Sequence, residues 1–265
     1  MGGWRISDVK HEAVKQFLRK VTVPILCDTP KGIDHIGTGT LFEIDNKYFL
    51  ITAQHIFENF NAKDLSIPNN PTDSDLQTLG RFVLHKPSCE AIDIAVLQLQ
   101  ESRTIDTVKK GWRLLKPENA APASPEGAFL LCGYPSQRIT VHGGRLAGTL
   151  LIAYTARLGE MPKEAKQPVD PHLDLFFRHD TNPTDLDGQP IAGPHLGGTS
   201  GCSIWEYYES ASRLVWTPES ALRIIGIQSS FLKGQFIRTK SWEFVMATLR
   251  EIDPNLSGSG AVEKC

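Results

Sequence analysis

Residues Gly37–Phe57 read GTGTLFEIDNKYFLITAQHIF. Two runs with strand composition, GTGTLFEI and KYFLITA, are separated only by Asp45 and Asn46, both turn formers. So short a gap joins antiparallel strands; a parallel pair would need a crossover of a dozen residues or more. The apolar run YFLITAQH then ends on His55, so a strand delivers a polar ring to the edge of a sheet. Taken alone, a histidine there is equally a core or edge residue with a hydrogen-bond partner.

The same punctuation continues on both sides. VTVPILC precedes the stretch, and RFVLHK and IDIAVLQL follow it. Lys116–Gly127, KPENAAPASPEG, has no apolar period and reads as a linker. A second β-rich series comes next: AFLLCGYP, GGRLAGTLLIAYTA, LDLFFRHD, CSIWEYY, SRLVWT and LRIIGIQSSF. At the N-terminal end, SDVKHEAVKQFLRKV sets Ala13, Val14, Phe17, Leu18 and Val21 on one helical face, with Ser7 or Asp8 available as a cap. At the other end SWEFVMATLREI does the same with Trp242, Val245, Met246, Leu249 and Ile252. The expectation is an all-β chain: a helical extension at 1–20, a first barrel at 21–115, a linker at 116–127, a second barrel at 128–238, a helix at 239–253 and a flexible tail at 254–265. Two antiparallel barrels side by side leave a cleft between them.

Composition excludes several function classes. Lys and Arg number 28 against 30 Asp and Glu in 265 residues, so charge gives no argument for nucleic acid or an anionic membrane. Five cysteines without repeated spacing or a CxxC pair argue against a disulfide framework and a zinc site, and for a reducing compartment. The first residues are too polar for a signal peptide, and no apolar run reaches membrane-spanning length. A soluble, cytoplasmic protein without metal or cofactor is expected.

Chemistry enters with GGTSGCSIW, Gly197–Trp205, where Gly198 and Gly201 bracket Ser200. The glycines let backbone N–H groups approach a bound carbonyl, though the stretch also describes an ordinary surface turn. A nucleophilic serine needs a base within hydrogen-bond reach and a third group to fix that base. His55 is one candidate. Asp93, which interrupts AIDIAVLQL, is the other: a carboxylate in an apolar run needs a partner, or else caps a turn. The chain order is His55, Asp93, Ser200, which matches one of the known orders for such a set.

Together GTGTLFEIDNKYFLITAQHIF, DIAVLQL, LLCGYP, GGTSGCSIW and RIIGIQSS resemble the successive motifs of trypsin-like, chymotrypsin-fold serine proteases, nearest to the compact bacterial type. The likeness runs from Val21 to Phe231. It implies two six-stranded antiparallel β-barrels of chymotrypsin type and a serine endopeptidase acting on a protein or peptide substrate through an acyl-enzyme. In this reading Ser200 is the nucleophile, His55 the general base, and Asp93 the group that orients the imidazole. The backbone N–H groups of Gly198 and Ser200 form the oxyanion hole. The side-chain pocket falls to Pro194 and His195 on one wall and to Gln228, Ser229 and Ser230 on the other. Neither wall is acidic, which removes the argument for cleavage after Arg or Lys.

The sequence departs from the family at Thr199, where extracellular members carry Asp, and at Cys202, where bacterial members carry Gly. Cys202 itself lacks the glycine that follows the nucleophile in viral cysteine relatives. An α/β-hydrolase would need glycine at 202 and a histidine after the serine, and none occurs beyond His195. The rival from another class is a catalytically silent binding module on the same scaffold. A third expectation is a protease held in check by a regulatory protein partner, with the terminal helices as its docking surface.

Overall fold

The computed structural model describes residues 8–30, 32–87, 89, 91–143, 145–191, 195–208 and 215–256. It begins with helix α1 (Asp8–Val21). A sheet of seven antiparallel strands follows: β1 (Thr22–Thr29), β2 (Gly32–Ile44), β3 (Lys47–Thr52), β4 (Leu65–Pro68), β5 (Leu76–Thr78), β6 (Phe82–His85) and β7 (Ala95–Leu99). Their spatial order is β5-β4-β1-β2-β3-β7-β6. Asp45 and Asn46 both take positive φ, 50° and 58°, and Ile44 faces Lys47 across them. This is the mirror-image turn whose twist suits a hairpin.

Helix α2 (Ser102–Gly111) follows and packs Val108 into the core of that sheet. The chain then enters β8 (Ala128–Gly133), the small hairpin of β9 (Ile139–His142) and β10 (Arg145–Gly148), β11 (Leu151–Thr155), β12 (Asp174–Arg178) and β13 (Ser203–Tyr207). The single turn α3 (Pro218–Ala221) leads to β14 (Leu222–Leu232), β15 (Phe236–Ser241) and helix α4 (Trp242–Ile252). The second sheet has six antiparallel strands in the order β11-β8-β13-β14-β15-β12. The architecture is the expected all-β pair, with a seventh strand on the first sheet. No helix among the described residues is long and apolar enough to cross a membrane.

Three large apolar cores, beside a small fourth cluster of Ala165, Phe176 and Phe236, account for the layout. Val23, Ile25, Leu41, Leu50, Ile67, Leu97, Val108 and Trp112 fill the first sheet, and Phe129, Leu131, Phe177, Ile204, Ile225 and Ile237 fill the second. The third core lies between them. There Val14, Phe17, Leu18 and Val21 of α1 meet Phe42 of β2, Trp205 of β13, and Trp242, Val245 and Leu249 of α4. Phe17 and Trp205 pack edge to face with centroids 5.6 Å apart. Each such fully buried large side chain contributes about 1.5–3 kcal/mol relative to exposure. The apolar faces of both terminal helices are thus packed between the two sheets.

One local expectation changes. Val215–Thr217 of SRLVWT is not strand, and Val215 is 71% exposed; the first three residues of that run lie outside the described residues. Of the expected tail at 254–265, Pro254 and Asn255 are exposed and Leu256 is buried, and residues from 257 onward lie outside the described residues.

Candidate active site

His55 stands just past the end of β3, in a short 3-10 turn, Gln54–Glu58, anchored by the buried Ile56 and Phe57 that follow it. Asp93 lies two residues before β7. Because β3 and β7 pair in the register Thr52↔Ala95, the two segments leave the sheet together and the side chains meet. Asp93 receives the His55 backbone N–H at 2.9 Å on Oδ1 and bonds Nδ1 at 2.7 Å through Oδ2. One carboxylate thus fixes both the backbone and the ring. That hydrogen bond is the main reason the His55 pKa lies above its ordinary value, while partial burial opposes the rise.

Ser200 arrives from the other sheet, in the turn before β13. Its Oγ lies 2.8 Å from His55 Nε2. The turn is welded to the first sheet by the Thr38 N–H, which donates to the Ser200 carbonyl at 2.9 Å. Gly201 follows with φ 83°, and a Cβ there would come within 2.2 Å of Thr52 Oγ1 and 2.3 Å of the Thr38 carbonyl. Only glycine meets both demands at once. The neighbouring hydroxyl, Thr199 Oγ1, is buried and donates to the Leu196 carbonyl at 2.7 Å, closing the loop internally.

The amides assigned to an oxyanion hole are both open. Among the described residues, neither the Gly198 nor the Ser200 N–H donates a hydrogen bond. A trans peptide holds its C=O and N–H on opposite sides, so anchoring one aims the other. Cys202 N–H binds the Thr199 carbonyl at 2.7 Å, which aims the Ser200 N–H. Ser136 N–H binds the Gly197 carbonyl at 2.8 Å, which aims the Gly198 N–H.

The residues expected to wall a side-chain pocket separate. Pro194 lies outside the described residues. His195 is exposed and sets its ring edge-on to Phe231, centroids 5.3 Å apart. Phe231 also stacks on His179 at 5.6 Å. Gln228 is buried; its Oε1 accepts from Thr199 Oγ1 at 3.3 Å, and its backbone bonds both Gly201 and Cys202. Its side chain supports the Ser200 turn from behind. Ser229 is buried too, with Oγ donating to the Arg238 carbonyl at 3.4 Å, whereas Ser230 is exposed. Cys202 is fully buried, and burial pushes its thiol well above the ordinary range, the state of an inert packing residue.

The sequence matches no protein-family model and no curated protein sequence. Among solved structures it is similar to the Rv3671c protease from M. tuberculosis in its active form, with TM-score 0.52 and 14% identity over 98% of this chain and 91% of that one. The chain has a chymotrypsin-like protease fold. The serine protease domain of the Sesbania mosaic virus polyprotein is also similar, with TM-score 0.48 and 13% identity over 84% of this chain and 90% of that one. His55 and Asp93 come from the end of the first sheet and Ser200 from the second, so the three side chains converge where the two sheets meet.

Sequence reasoning passed over three residues around the Gly198–Gly201 turn: Thr38, Ser136 and Gln228 in its supporting role. Each acts through the backbone or from a buried position, and no spacing in the sequence announces that.

Proposed function

We propose that the chain is a serine endopeptidase in which Ser200 attacks the scissile carbonyl, His55 takes its proton and returns it to the leaving amine, and Asp93 holds the ring. The observation that carries this reading is the pair of short contacts on one imidazole, 2.7 Å to Asp93 and 2.8 Å to Ser200. With Nδ1–H bonded to the carboxylate, Nε2 is the bare nitrogen that faces the hydroxyl. As His55 becomes cationic, Asp93 stabilises it, and the two N–H donors beside Ser200 receive the charge that develops on the carbonyl oxygen.

A peptide substrate is supported by β14. It pairs with β13 only as far as Ile227, whereas its pairing with β15 continues to Leu232. From Ser229 onward its other edge carries no strand among the described residues. An extended peptide can add to that edge with its scissile bond at Ser200. The reading needs no activating partner, because both oxyanion peptides already have their carbonyls anchored.

One observation favours the silent-module alternative: Phe231 sits against His179 and His195 where a side-chain pocket is expected. A fluorophosphonate probe separates the two readings. The protease reading expects covalent label on Ser200, located by mass spectrometry, and its loss in Ser200→Ala and His55→Ala. A folded wild-type protein that takes up no label on Ser200 would favour the silent module.

A further inference from the structure

The Gly197–Gly198 peptide carries one of the two donors, yet nothing in its own chemistry fixes it. It joins two glycines, and Gly198 sits at φ 87°. Rotating the peptide plane, which would exchange its C=O and N–H, meets little local resistance in such a pair. Its orientation must come from outside.

Two residues from different sheets supply it. Ser136 opens the 3-10 turn Ser136–Arg138 after β8, and its N–H holds the Gly197 carbonyl at 2.8 Å. His35 lies on β2, and its Nδ1 bonds Ser136 Oγ at 3.1 Å. Both pack directly on Gly198: a Cβ there would lie 2.1 Å from Ser136 Oγ and 2.8 Å from His35 Cε1. His35 Nε2 is buried without a hydrogen-bond partner, and burial pushes the ring's pKa down to about 4, so it is neutral at pH 7.

We propose that His35 and Ser136 are positioning residues: together they lock the Gly197–Gly198 peptide with the Gly198 N–H directed at the transition-state oxyanion. Thr38 closes the arrangement from the far side, its Oγ1 donating to the Gly198 carbonyl at 3.3 Å while accepting the Tyr134 N–H at 3.0 Å. This inference rests on the protease reading above. It goes further by assigning donor geometry to two residues that touch neither the nucleophile nor the base.

The test uses Ser136→Pro, His35→Ala and His35→Gln in the full chain. Proline removes both the N–H that holds the Gly197 carbonyl and the Oγ that bonds His35, and it is tolerated at the first position of a helical turn; Pro135, with ψ 136°, already has the backbone that a residue before proline requires. Glutamine keeps a polar group able to bond Ser136 Oγ. The readouts are the rate of fluorophosphonate labelling of Ser200 and the kcat and KM for p-nitrophenyl acetate, each across pH. Losing an oxyanion donor outright costs about 100- to 1000-fold, so loosening one should lower labelling and kcat by about 10- to 100-fold in Ser136→Pro and His35→Ala. KM and the pH midpoint set by His55 should stay at wild-type values, and His35→Gln should recover most of the rate. Wild-type rates in Ser136→Pro, or a loss confined to KM, would overturn the inference while leaving the protease reading standing. Wild-type protein that does not label on Ser200 removes both. If Ser136→Pro does not fold, the two His35 variants decide: equal rates in Ala, Gln and wild type refute the proposal.

Discussion

Replacing Gly201 with alanine tests whether the backbone weld behind Ser200 is what holds the site together. The added Cβ would lie 2.2 Å from Thr52 Oγ1, 2.3 Å from the Thr38 carbonyl and 2.8 Å from the Ala53 nitrogen. The last two are main-chain atoms of β2 and of the segment after β3, so no side-chain rotation relieves the clash. Alanine at φ 83° costs about 1–2 kcal/mol in backbone conformation, and forcing an extra methyl into a packed site about 1–3 kcal/mol more. A total near 3 kcal/mol corresponds to a fall in Tm of about 6–12 °C in a chain of this size. The turn can relieve the overlap only by backing away from β2, which stretches the Thr38–Ser200 bond and carries Ser200 Oγ off His55. A displacement of about 1 Å lowers the rate about 100-fold. Gly159→Ala is the control, since a Cβ there meets nothing within 4 Å, and it should stay within about 0.5 kcal/mol of wild type. Thermal melts and fluorophosphonate labelling of the same preparations read both effects. If Gly201→Ala melts within about 2 °C of wild type and labels at its rate, the account of the weld is wrong.

Asp93→Asn should lower kcat about 10⁴-fold by releasing the imidazole into the wrong tautomer. Because the Asp93 bond is the chief cause of the raised His55 pKa, the midpoint of the pH–rate profile should also move toward acid in that variant. In the wild type, labelling should rise as pH climbs through the raised His55 pKa. The sign for stability is opposite: the contribution of protonated His55 is full below its unfolded pKa of about 6.5 and is lost as pH rises through the folded value, which urea melts of wild type and His55→Ala at several pH values will show. Asp174 is fully buried between Arg238 Nε at 2.8 Å and Lys240 Nζ at 2.6 Å, so Asp174→Ala strands two buried cations and should cost about 3–5 kcal/mol in denaturant unfolding. Iodoacetamide at neutral pH should leave Cys202 unmodified in the native protein and alkylate it in urea, as peptide mapping will report.

The hairpin over Gly37–Phe57 was legible because its turn is only two residues long and both take the positive φ that Asp and Asn tolerate. The convergence of His55, Asp93 and Ser200 was legible through chain order, although none of the three sits inside a strand: each occupies the irregular segment beside one, where backbone hydrogen bonds no longer dictate direction. Less could be read elsewhere. Helix α2 is only ten residues long and mostly polar, so although its few apolar residues share one face and Thr104 and Val108 are buried, the segment does not stand out from a loop. Strands β4 and β5 are four and three residues long, too short for alternation to register. Gln228 was placed on a pocket wall by its distance from Ser200, but a strand shows alternate residues to opposite faces, and the bulge between Gln228 and Ser230 resets which face that is. His35 and Ser136 are 101 residues apart, and only the packing of the two sheets brings them to one peptide.

The bond from the Thr38 N–H to the Ser200 carbonyl also has a meaning in time. His55 and Asp93 are made early in synthesis and Ser200 late, and the short contact between them requires that the later sheet has formed and closed onto the earlier one. A chain whose second sheet has not yet docked therefore holds a base without a nucleophile, and the pair exists only where the two sheets have met.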